Sequence, residues 1–160
     1  VPYKFELGGV NHEACAGLVA LKEHIAFLAS LAGHQDDDDL SREAITSAFD
    51  VMTACEAPVQ QRLIDYLNEK PRVRIIGPAH GDAATRVGTV SFVHESKTSA
   101  EIAAAAHPHE IGIRNGHMYA YRLCRALDIE PEDGVVRTSA VHYNTVEEID
   151  RLIEVFEKVL

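Results

Sequence analysis

Residues 134–156, GVVRTSAVHYNTVEEIDRLIEVF, restrict the fold more than any other stretch of the chain. Over 134–141, Val135, Arg137, Ser139 and Val141 alternate with Val136, Thr138 and Ala140, which is the period of a strand. A few residues later Ile149, Leu152, Ile153 and Phe156 recur at helical spacing. Thr145 and Glu148, three apart, mark the change, because this pair caps a helix start by reciprocal bonds to backbone N–H groups. A strand that hands over so quickly to an amphipathic helix points to helices layered on a sheet.

Upstream of this segment the pattern is mostly helical. After Gly8-Gly9, Asn11 is placed to cap a helix to about residue 31, with Cys15, Leu18, Leu21, Ile25 and Leu28 on one face and Gly33 ending it. Asp36 to Asp39 form an acidic turn suited to the start of the next helix. They lack the glycine and the terminal glutamate of a calcium loop. A second helix spans about 41–68, divided or kinked at Pro58, with Ala48, Met52, Cys55, Val59, Leu63 and Leu67 facing inward. Strands are expected at 73–77 and 87–94, the second with Val90 and Phe92 opposite Val87, Thr89, Ser91 and Val93.

Thr98 and Glu101 form another capping pair, opening a helix to about Ala106 that Pro108 limits. A short strand at 111–114 and a helix at 118–127 complete the order α-α-β-β-α-β-α-β-α. With no repeat and no long linker, residues 1–160 read as a single small α/β domain of the α+β type. It would have a small mixed or antiparallel sheet with helices mainly on one face, and residues 1–33 as a lead-in segment and long connecting helix.

The net charge of −10, with no cluster of Lys or Arg, disfavours a nucleic-acid partner. No apolar stretch approaches the roughly 20 residues of a membrane span, so no membrane partner is expected. Cys15, Cys55 and Cys124 fall in helical patterns, odd in number and far apart, which fits a reducing cytoplasm better than a disulfide framework. All three are expected to pack in apolar surroundings, Cys124 despite Arg122 and Arg125 beside it. The chain begins at Val1 inside VPYKFELGG, without Met or a signal peptide, and is expected to be part of a longer polypeptide.

Two groups of residues invite a chemical reading. His107-Pro108-His109-Glu110 brings two imidazoles and a carboxylate together, but Pro108 disrupts regular geometry and no second cluster accompanies it, so no metal site is expected. His12, His24 and His34 are read as surface or partly buried residues. Arg137 stands in an apolar strand, where a guanidinium must be paired or face a cleft. Residue pattern leaves two readings level: a salt bridge to one of the many acidic residues, or bidentate recognition of a ligand's carboxylate. His142, Tyr143 and Asn144 add polar groups at the strand's end.

Three segments, KFELGGVNHEACAGLVAL (4–21), GIRNGHMYAYRLCRAL (112–127) and VVRTSAVHYNTVEEIDRL (135–152), are similar in order and spacing to the class V aminotransferases. These are the pyridoxal-phosphate enzymes that include the cysteine desulfurases, and the chain resembles their C-terminal small domain. The resemblance implies pyridoxal 5'-phosphate as cofactor in the intact enzyme, an amino-acid substrate, a homodimer, and a cofactor domain upstream. It gives Arg137 the substrate carboxylate. His117, Tyr119, His142 and Asn144 would line or shape the cleft.

Gly8-Gly9 stands where the family commonly has Gly-Thr, whose threonine reaches the partner subunit's cofactor phosphate; here that contact would come from the Gly9 backbone N–H. Tyr119 occupies the place of the desulfurase loop cysteine. Lys4, Lys22, Lys70, Lys97 and Lys158 do not match the motif of the Schiff-base lysine, so the chain alone is expected neither to hold the cofactor covalently nor to catalyse. The alternative is a standalone interaction or regulatory domain that kept the fold.

Overall fold

The computed structural model describes residues 8–34 and 40–160. The expected acidic turn at Asp36 to Asp39 and the segment before Gly8 lie outside the described residues. The elements are α1 (His12–Leu31), α2 (Arg42–Asn68), β1 (Val73–Ile76), β2 (Thr89–His94), α3 (Ser99–Ala106), a 3-10 turn (His107–His109), β3 (Arg114–Gly116), α4 (Tyr121–Ala126), β4 (Val135–Ser139) and α5 (Val146–Phe156). This is the expected order with one short turn added. The chain divides into two compact units, Val1–Met52 and Thr53–Leu160.

In the first unit the Asn11 side chain accepts the Ala14 N–H at 2.8 Å, and Gly33, at φ +91°, lies just past the helix end. Leu28 and Ala29 of α1 pack with Ala44 and Ala48 of α2, and His34 is hydrogen-bonded to Ser47 at 2.8 Å. The rest of the expected stripe departs from its reading: Cys15, Leu18 and Leu21 are exposed, and Ile25 is half-buried. Helical spacing marks a face that suits burial without saying what covers it, and only the last turns of α1 meet α2 within this unit. The membrane reading also needs correction. At 20 residues and a mean hydropathy of 1.5, α1 meets the length and composition of a spanning helix. Glu13, Lys22 and Glu23 interrupt its apolar residues.

The second unit is built on an antiparallel sheet in the order β1-β2-β4-β3. Val90, Phe92 and Val136 point to one face, against Val59, Leu63, Ile64 and Leu67 of α2, Ile102 and Ala106 of α3, and Ile149, Leu152 and Phe156 of α5. Phe92 and Phe156 meet edge to face at 5.6 Å. Each such large side chain, fully buried, contributes roughly 1.5–3 kcal/mol. Both capping boxes form as read, with Thr98 paired to Glu101 and Thr145 to Glu148. A smaller cluster of Cys124, Ile129 and Val135, with Ile76, Val93 and Leu127 at its margin, covers part of the opposite face. Cys124 is thus buried, as expected.

Several local readings change. Of the division or kink expected at Pro58, the division is not made: α2 runs through it, with its next turns held by the burial of Val59, Leu63 and Ile64. Cys55 is exposed instead of joining that buried face. The strand expected at 111–114 sits at Arg114–Gly116, because Ile111 and Ile113 turn into the core. The following helix starts at Tyr121 and not at Met118, since Met118 and Tyr119 take positive φ values of 49° and 61°, which no helix accommodates. Val87 is exposed ahead of β2, and β4 is shorter at both ends than the expected 134–141.

Gly134 has φ +70°, and a Cβ there would collide with the Gly116 carbonyl. Gly134→Ala should therefore lower the free energy of unfolding by about 2 kcal/mol or more. Gly17, with open space around it, should accept alanine without loss. Urea titration checks both; wild-type stability of Gly134→Ala would show that the two backbones need not approach so closely.

Candidate functional site

The register of β4 decides where its arginine faces. Val136 pairs with Phe92 and points into the core, so Arg137 faces the other side, directly opposite Ser91 of β2 and Arg114 of β3. Part of this second face is closed by Cys124, Leu127 and Ile129 over Ile76, Val93 and Val135. Arg74 belongs to that closed part, with its two terminal nitrogens donating to the Leu127 carbonyl at 3.2 and 3.1 Å. Thr89, Ser91, Arg114, Arg137 and Ser139 form the remainder. Thr89 and Ser139 are hydrogen-bonded to each other at 3.2 Å across the strands.

Arg137 is half-buried, and its Nε is out of contact with solvent and has no hydrogen-bond acceptor. Among the described residues the ion pairs are Arg62–Asp150 and Lys70–Glu157, and neither involves Arg137. A buried donor attached to a charge and left unsatisfied costs on the order of 1–3 kcal/mol or more. Of the two roles open to this arginine, a salt bridge within the described residues is therefore not made. A cation in this state is suited to an incoming carboxylate.

The other candidate residues fall at opposite ends of β4. His117 and Tyr119 follow β3, whose Gly116 pairs with Val135 at the beginning of β4. The His117 Nδ1 accepts the Tyr119 N–H at 3.1 Å, its ring meets Tyr121 edge-on at 6.0 Å, and Tyr119 is fully exposed. Two consecutive non-glycine residues with positive φ are uncommon and cost energy, so this turn is held by its surroundings. His142 and Asn144 lie beyond the far end of β4. His142 contacts Tyr143 edge-on at 5.2 Å.

Asn144 builds the turn into α5. Its Oδ1 accepts the Val141 N–H at 2.9 Å and its Nδ2 donates to Glu148 at 2.9 Å. Gly8 and Gly9 are exposed, with nothing within 4 Å of a Cβ built on either. His107, His109 and Glu110 are exposed on the 3-10 turn. Among the described residues no three His, Cys, Asp or Glu side chains are grouped to hold a metal.

A cavity of about 200 Å³ lies on the core side of the sheet, lined by Gln60, Val90, Ile113, Thr138, Asn144 and Glu148 among others. Arg137 is not part of it, because its side chain is on the reverse face. The arginine face has the unsatisfied charge, and chemistry rather than enclosed volume identifies the site.

Arg114 is the residue that sequence reasoning missed. It was visible only as the last residue of a short expected strand. Its importance comes from the pairing with Arg137, which depends on the register between two segments more than twenty residues apart.

The sequence pattern of the aminotransferase class-V family matches residues 1–152. The chain is 42% identical over 113 residues to an aminotransferase-like protein, FGM3, of Gibberella zeae, covering 70% of this chain and 28% of that protein. It is 25% identical over 158 residues to a cysteine desulfurase of Serratia proteamaculans, covering 99% and 32%. Its structure is similar to the apo structure of a cysteine desulfurase from Thermococcus onnurineus, with TM-score 0.63 and 27% identity over 74% of this chain and 28% of that one. The chain thus spans about a quarter to a third of the length of these relatives.

The Asn144 amide, and then the Thr145 N–H, hold the Glu148 carboxyl below its ordinary value. A carboxyl lowered in the folded state adds stability above its unfolded value, and that gain is lost as pH falls through the folded value. Glu148→Gln should lower the melting temperature at neutral pH and flatten its fall below about pH 4.5, the ordinary glutamate range. An acid limb identical to wild type would show that this turn does not hold the carboxylate.

Proposed function

The chain belongs to the class V aminotransferase family, and from that premise we propose that it binds the carboxylate of an amino-acid substrate in a pyridoxal-phosphate-dependent enzyme. Arg137 is the anchor. The observation that carries this reading is its half-buried guanidinium, without an ion pair among the described residues and with Nε unsatisfied. The planar fork of arginine matches the two oxygens of a carboxylate, and a ligand so held is fixed in orientation as well as position.

The residues present fit the substrate end of such a site and not the covalent end of the cofactor. Lys70 is engaged by Glu157 at 2.7 Å and lies over the Tyr66 ring. Lys22, Lys97 and Lys158 are on none of the strands of the arginine face, and Lys4 lies outside the described residues. Gly8 and Gly9 are exposed with open space around them, and a phosphate contact from the Gly9 backbone N–H would suit the one that the family makes to the partner subunit's cofactor in a homodimer. Pyridoxal phosphate, where bound, supplies the electron sink for bond breaking at the substrate's Cα.

Tyr119 and His117, ahead of β4, are placed to shape the cleft, whereas His142 and Asn144 act at its other end through the turn. Tyr119 has no thiol to receive sulfur. Transamination, lyase or epimerase chemistry therefore suits this chain better than the desulfuration named for several of its relatives.

In the full-length enzyme Arg137→Ala should raise KM for the amino acid about 10- to 100-fold, the worth of a charge-assisted hydrogen bond pair. The visible absorption of bound cofactor should stay unchanged. Steady-state kinetics with a spectrum of the resting enzyme read both, and an unchanged KM would return Arg137 to a structural role.

A further inference from the structure

Charge is distributed unevenly over the sheet. The chain has 25 acidic against 15 basic residues, yet the strand residues on the face of Arg137 include no acid and three arginines. Arg74 is accounted for by the Leu127 carbonyl. Arg114 and Arg137 are not: they stand directly opposite each other on β3 and β4, and neither has an ion pair among the described residues. Directly opposed residues on one face have Cβ atoms about 4.5–5.5 Å apart, and like charges so placed destabilise a sheet. Such a pair persists where something negative accompanies it.

One carboxylate fills one guanidinium fork and neutralises one charge, leaving the second cation facing the same space. We infer that the substrate carries two acidic groups, its α-carboxylate on Arg137 and a side-chain carboxylate on Arg114. This rests on the reading of Arg137 given above. The division follows from position. Arg137, half-buried on a strand paired at both edges, holds the group common to all amino acids. Arg114, exposed on the edge strand, meets the part of the substrate that varies. A dicarboxylic amino acid is the class that satisfies both.

Succinate and succinamate separate the possibilities, since they differ only in replacing one carboxylate by a neutral amide and neither has an amine to react. Calorimetric titration of the full-length protein should show succinate binding about tenfold or more tightly than succinamate. Arg114→Gln should abolish this preference while leaving succinamate unchanged, Arg114→Lys should keep part of it, and Arg137→Gln should weaken both ligands. Thermal melts of the variants confirm that they are folded. Equal affinities in the wild type, or a preference that survives Arg114→Gln, would overturn the inference. So would equal weakening of both ligands in Arg114→Gln, which is the result for one carboxylate bridging the two arginines. Loss in Arg137→Gln alone would still support the carboxylate anchor, and binding untouched by Arg137→Gln would overturn that anchor itself.

Discussion

β4 is hydrogen-bonded along both edges, to β2 and to β3, and this double pairing removes any freedom in which way its side chains face. Val136 and Thr138 are buried among α2, α3 and α5, so Val135, Arg137 and Ser139 have to emerge on the reverse side. A slip of one residue would drive the guanidinium into a core built around Phe92 and Phe156 and bring Val136 out of it. The cost of burying an unpaired charge excludes that alternative far more firmly than any single favourable contact would. Everything proposed for the site depends on this register.

Two local devices keep it in place. At the beginning of β4, Gly134 and Gly116 approach so closely that neither backbone has room for a side chain at Gly134, and β3 is thereby brought beside β4 with Arg114 opposite Arg137. At its far end Asn144 ties the Val141 N–H to Glu148, and Thr145 and Glu148 then cap α5. The second device sends α5 back over the core face, which leaves the reverse face of the strand to the arginines. The larger packed face and the arginine pair are thus on opposite sides of one sheet.

Much of this was legible in the residues. The strand period of 135–139, both capping boxes and the inward sides of α5 and β2 follow from local spacing, and local spacing is what the structure reproduces. Several of the readings that changed needed information from elsewhere in the chain. Cys15 and Leu18 lie on a helical face that periodicity marks, but their exposure depends on what lies alongside. The shift of β3 to Arg114–Gly116 came from Ile111 and Ile113 entering the core. For the same reason Arg137 could be singled out from sequence, as a charge in an apolar strand, whereas Arg114 could not. The family resemblance grouped His117 and Asn144 in one cleft, yet they sit at opposite ends of β4 because strand direction is a property of pairing.

The central claim is that the Arg137 guanidinium, without an ion-pair partner among the described residues, is kept for a ligand's carboxylate. A crystal structure of the full-length protein with a bound amino acid or dicarboxylate tests that most directly. The account predicts a ligand carboxylate oxygen within about 3.2 Å of the Arg137 guanidinium, the reach of a charge-assisted hydrogen bond. An aspartate or glutamate of the protein in that place, with the ligand's carboxylate held elsewhere, would contradict it.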